Sequence, residues 1–177
     1  MVVCVLGIVI LLTLKALWFV IVYNNFQVNI VAINEAEASI DSILRKRFDL
    51  LNKAVGVIKG YIGHEKEILE DVVKLRSRKL SNIELDKELN ESIKQFYEIA
   101  DSYSELKGSD NFLKLLDSIN DVEEQLSASR NYYNSKIASY DKRVRKFPSN
   151  MVAKLFKYKN KEFFDSNKKE KDVEIKL

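Results

Sequence analysis

A chain of 177 residues with one Pro, five Gly and 31% charged residues points to a single all-α domain and argues against a turn-rich sandwich or barrel. Its 29 basic and 26 acidic residues interleave to a net charge of only +3, which leaves no broad basic field to hold nucleic acid. The one cysteine, Cys4, excludes an intramolecular disulfide and a paired-cysteine metal or redox site.

Residues 2–22 are apolar apart from Thr13 and Lys15. At about 1.5 Å per residue they match a hydrocarbon core of roughly 30 Å, so residues 1–23 read as a transmembrane anchor. Trp18 and Tyr23 suit a headgroup belt at its C-terminal end, and Lys15 can snorkel toward the same interface. A cleaved signal peptide fits less well, because no Lys or Arg precedes the apolar run and no small-x-small site follows it. Val2 and Val3 argue against lipidation of Cys4. The first basic cluster is Arg45, Lys46 and Arg47, and the N-terminal flank has none; this asymmetry slightly favours a cytoplasmic body.

Beyond the anchor, residues 24–164 carry helical stripes. Ile33, Ala36, Ile40, Leu44, Phe48, Leu51, Val55 and Ile58 recur at steps of three and four, the mark of one buried helix face. The stripe continues through Tyr61, Ile68, Val72 and Leu75, and Gly56, Gly60 and Gly63 predict a kink or break between, each glycine costing roughly 1 kcal/mol in a helix interior. A second stripe, Ile83, Ile93, Phe96, Tyr97, Ala100 and Tyr103, has Ser81 or Asn82 as its cap and stops at Gly108. A third starts at Asp110 and runs through Phe112, Leu116, Ile119, Val122, Leu126, Ser129, Tyr133, Ile137, Tyr140, Val144 and Phe147 to Pro148. A short amphipathic piece at 150–156 can fold back, and the charged tail 165–177 is expected to be disordered. The expected architecture is therefore all-α: a transmembrane helix followed by an antiparallel bundle of three to four long helices.

Several segments together resemble the LemA family of bacterial membrane proteins. They are Arg45-Lys46-Arg47-Phe48-Asp49-Leu50, Val57-Ile58-Lys59-Gly60-Tyr61 with His64-Glu65, Arg130-Asn131-Tyr132-Tyr133-Asn134, Tyr140, Phe147-Pro148-Ser149-Asn150 and the aromatic-basic run 156–164. The chain departs from the family pattern at Asn52, where Pro is common, and at Asp141 and Tyr158, where Asn and Phe are usual. The resemblance implies a single-pass protein of the bacterial cell (inner) membrane with a long-helix bundle and no established enzymatic activity.

The residues themselves supply no catalytic constellation. His64 is the sole histidine, and Ile68 stands where a metal-protease motif needs its second His. Glu123-Glu124 and Glu70-Asp71 lack the histidines of a bundle metal site. No cofactor is expected, and the chain reads as a non-enzyme. Glu65, Arg47 and Arg130 can approach core-facing positions, where a partly buried ion pair would set helix register. Tyr132, Tyr133, Tyr140 and Phe147 read as core packing. The candidate surface is Lys154, Phe156, Lys157, Tyr158, Lys159, Lys161, Phe163 and Phe164, where clustered cations and aromatics suit contact with membrane lipid or a protein partner. The expected function is a membrane scaffold or interaction protein. The alternative is an oligomeric accessory of a transport or metal-homeostasis system, a homo-oligomer hinted at only by Lys15 within the span.

Overall fold

The computed structural model describes residues 1–59, 80–103 and 108–164, and among these it holds four helices and no strand. They are α1 (Val2–Lys59), α2 (Asn82–Ser102), α3 (Asp110–Arg145) and α4 (Ser149–Leu155). The all-α bundle expected from the stripes is thus what the chain forms. It divides into two compact units, one of Met1–Glu37 with Tyr132–Leu177, the other of Ala38–Asn131.

Helix α1 contributes to both units. Its first third is apolar all round and unburied, and it is long and apolar enough to cross a membrane. From Phe26 onward the buried residues fall on one face, while Val28 and Val31 stay exposed on the other. The helix is uninterrupted through Gly56, which sits on the surface with open space where a side chain would be. Gly60, Gly63, His64, Glu65 and the stripe from Tyr61 to Leu75 lie outside the described residues, as does the charged tail.

In the unit Ala38–Asn131, the buried faces are Ile40, Leu44, Phe48, Leu51, Ala54, Val55 and Ile58 of α1, Leu89, Ile93, Phe96 and Ala100 of α2, and Phe112, Leu115, Ile119, Val122 and Leu126 of α3. Helix α2 starts on a capping box. The Ser81 hydroxyl accepts the Glu84 N–H at 3.3 Å, and the Glu84 carboxylate accepts the Ser81 N–H at 2.9 Å. That backbone donor holds the Glu84 carboxyl below its ordinary range. Helices α2 and α3 run antiparallel, since Asp86 meets Arg130, Tyr97 meets Asn120, and Phe96 meets Phe112 at 5.9 Å.

One feature of α2 departs from its apolar stripe. Ile83 is exposed, whereas Asp86 is buried on the inner face. Arg47 donates to Asp86 at 2.9 Å and to Asn90 at 2.6 Å and pairs with Glu123, while Arg130 donates to the same Asp86 oxygen. The register-setting role expected of Arg47 and Arg130 thus has its acceptors in Asp86 and Glu123. Burial pulls the Arg47 guanidinium below its ordinary value, and Glu123 and Asp86 oppose that shift.

Breaking a buried ion cluster leaves charge without a counter-charge, which decides the expected effect. Asp86→Ala should cost about 3–5 kcal/mol, because the Arg47 and Arg130 guanidinia lose the buried carboxylate they share. Glu91→Ala, on the exposed face of the same helix, should stay within about 0.5 kcal/mol. Denaturant unfolding followed by circular dichroism measures both, and equal midpoints would contradict this role for Asp86.

Candidate membrane-contact site

The unit Met1–Glu37 with Tyr132–Leu177 is built on a core of Phe26, Ile33, Ile137, Tyr140, Val152 and Ala153, with Phe19, Val22, Ile30, Tyr133, Val144, Tyr158 and Phe163 packed against it. Phe19 and Val22 belong to the apolar segment of α1, so the last turns of that segment are part of this core. Helix α3 runs antiparallel to α1 here: Tyr140 meets Phe26 edge-on at 5.9 Å, and Tyr133 feels the charge of Glu37.

Helix α3 ends at Arg145 because Phe147 precedes Pro148, whose ring disfavours helical backbone before it. The Phe147–Pro148 peptide is cis. The Ser149 hydroxyl donates to the open end of α3, lying 2.7 and 2.8 Å from the carbonyls of Arg143 and Lys146. Lys142, Arg143 and Arg145 in the last turn complement the negative end of the helix dipole. Phe147 therefore falls off the helical face and is 72% exposed, and Tyr132 is also exposed beneath Lys136, 4.6 Å from its ring centre. Of the four aromatics expected to pack, Tyr133 and Tyr140 do so.

Helix α4 buries Val152 and Ala153 and closes in a Schellman turn, with Tyr158 N–H donating to Ala153 at 2.9 Å and Lys157 N–H to Lys154 at 3.2 Å. Lys157 takes the left-handed conformation at φ 56 that this turn requires. The chain from 156 to 164 then lies along α1 and α3. Phe156 sits 6.1 Å from Phe19 and 5.0 Å from Tyr23, and Tyr158 sits 5.0 Å from Phe26. Gln27 donates to the Tyr158 hydroxyl at 2.8 Å, a bond the phenylalanine usual at this position would lack. Buried Asp141 accepts the Lys161 N–H at 3.1 Å, which an asparagine oxygen could do equally. Asn134 clamps Phe164 on both sides, accepting its N–H at 2.8 Å and donating to its carbonyl at 3.0 Å.

The candidate residues from the sequence thus separate. Tyr158 and Phe163 are half-buried and Phe164 is buried against Tyr133, with ring centres 6.0 Å apart. Lys161 is half-buried, while Lys154, Lys157 and Lys159 are exposed and Phe156 is 41% exposed beside the anchor. Sequence reasoning missed Met151 and Leu155, which are exposed on α4 next to this set. Their signal was the four-residue spacing Phe147, Met151, Leu155. Among the described residues, no group of three or more His, Cys, Asp or Glu is arranged to hold a metal ion.

Burial raises the phenols of Tyr133 and Tyr140 above their ordinary value. The folded state then holds protons that the unfolded chain releases from about pH 10, so stability is fully present below that pH and falls as pH rises through it. Unfolding midpoints at pH 8 and pH 11 should differ in that direction. Replacing both tyrosines with Phe should flatten the fall, and an unchanged slope would contradict the burial.

A family model described as the LemA family matches residues 36–177. Protein LemA of Metamycoplasma hominis is 28% identical over 147 residues, covering 78% of this chain and 67% of that protein. Most of the chain lies within the matched region, and the chain belongs to the LemA family.

Proposed function

We propose that the protein is a single-pass scaffold of the bacterial cell membrane, with its helical body on the cytoplasmic side, lipid at its membrane end and the faces of its helices offered to a protein partner. The observation that carries this reading is the packing of Phe19 and Val22 into a core with residues of α3 and α4. A removable leader would have no reason to fill the core of the protein it delivers, whereas an anchor that continues into the body holds that body against the bilayer. The packing therefore supports a retained span over a cleaved signal.

Sidedness follows from charge. The fold brings Arg143, Lys146, Lys154 and Lys157 into the same unit as the end of the apolar span, all exposed, although they follow it by more than a hundred residues in sequence. Lys and Arg beside a span are characteristic of the cytoplasmic face. Exposed cations and apolar side chains beside the apolar segment suit contact with lipid or a partner, which supports an interaction role.

Cysteine accessibility tests the reading. In a Cys4→Ser background, the exposed Ser127→Cys should resist a membrane-impermeant maleimide in intact cells and react after permeabilisation. The protein should also keep the mass of the full chain in the membrane fraction. Labelling in intact cells would place the body outside, and a shortened membrane-free product would reinstate the cleaved leader.

A further inference from the structure

The corner between α3 and α4 carries large apolar side chains that the described residues leave exposed. Phe147, Met151 and Leu155 are 72%, 60% and 66% exposed, whereas Val152 and Ala153 on the other side of α4 are buried in the core. Contiguous exposed apolar surface marks a contact with something else.

Helix geometry says what lies at that level. Tyr140 is level with Phe26, and α1 and α3 run antiparallel at about 1.5 Å per residue. Five residues beyond Tyr140, about 7 Å along the axis, α3 ends at Arg145, level with Ile21 of α1. Phe156 reaches the same level independently through its contacts with Phe19 and Tyr23. Both ends of the corner thus stand beside the turn of α1 that carries Trp18 and Tyr23, the aromatic belt where a span enters the headgroups. Arg143, Lys146, Lys154 and Lys157 around the corner are all exposed. A left-handed residue without the freedom of glycine is strained, so glycine would fit position 157 more easily than the lysine found there.

We propose that this corner is a lipid-binding surface. Phe147, Met151 and Leu155 enter the acyl boundary of the leaflet in which α1 leaves the membrane. Arg143, Lys146, Lys154 and Lys157 hold the headgroups of anionic phospholipids. The occupant is lipid because the patch is continuous with the anchor, and anionic because its rim is cationic. The inference rests on the retained span argued above, and refines the candidate run 154–164 by moving its apolar contact to 147–155.

The test uses the full chain in vesicles of phosphatidylcholine and phosphatidylglycerol, with Trp18→Phe removing the native indole. Acyl-brominated lipid should quench the Phe147→Trp and Leu155→Trp variants at least about two-fold more than Ser135→Trp, which is exposed on α3 about 15 Å before Arg145. Brominated phosphatidylglycerol should quench more than brominated phosphatidylcholine at equal mole fraction. That excess should vanish in about 0.5 M salt and when the four cations become Gln. Lys157→Gly should reduce the excess while leaving thermal stability equal or higher, a combination that a purely structural role for Lys157 would not give. Equal quenching at 147, 155 and 135 in a protein that floats with its vesicles overturns the lipid contact alone and leaves the corner to a protein. A headgroup preference that survives the Gln replacements overturns the anionic assignment. Failure to float overturns both this inference and the retained anchor.

Discussion

The passage of α1 out of its apolar segment is the constraint on which the rest of the unit around it depends. Through residue 22 the helix is apolar on every side, a surface that suits hydrocarbon and fails in water. Beyond it, Phe26, Ile30 and Ile33 still present large apolar side chains on one face, each worth about 1.5–3 kcal/mol if kept from water. The chain covers that face with its own far end: Ile137 and Tyr140 from α3, Val152 and Ala153 from α4, then Tyr158 and Phe163. Since the cover extends down to Phe19 and Val22, the core and the apolar segment share side chains.

Directional polar contacts fix what the apolar stripes leave free. Apolar faces slide over one another at small cost, but a guanidinium in a buried position must meet its acceptors. Arg47 therefore sets α2 and α3 against α1 through Asp86, Asn90 and Glu123. In the other unit, Asn134 and Asp141 do the same for a segment without regular hydrogen bonds of its own, taking up the N–H groups of Phe164 and Lys161. These contacts explain why the segments resembling the family include Arg47, Arg130 and Asn134: they hold the architecture, and on their own they say little about a reaction.

The end of the unit around Phe19 combines two kinds of surface that the stripes do not distinguish. An aromatic that faces the core and one that is left exposed look alike in composition, and both are flanked here by lysine. What separates Tyr158 from Phe147 is the turn between α3 and α4, which sends one ring to Phe26 and leaves the other uncovered. The same fold gathers cations from two short stretches of chain, 143–146 and 154–157, into the unit that holds the end of the apolar segment. A charge pattern far from that segment in sequence thereby comes to lie in the same unit.

The amino-acid sequence by itself determined the apolar span, the all-α class, the start of α2 at Ser81 or Asn82, the ends of α3 near Asp110 and Pro148, and the inward-facing Arg47 and Arg130, because each depends on local periodicity, capping or backbone chemistry. The tertiary structure decided what no local pattern carries. It kept α1 continuous through Gly56, since a surface glycine within a helix packed on its other face weakens the helix without breaking it. It buried Asp86, which is legible only once two guanidinia converge on it, and exposed Ile83 one turn away. It also placed Phe156 beside Phe19 and Tyr23, a contact between positions more than a hundred residues apart that follows from the order in which helices return and from no feature of either segment alone.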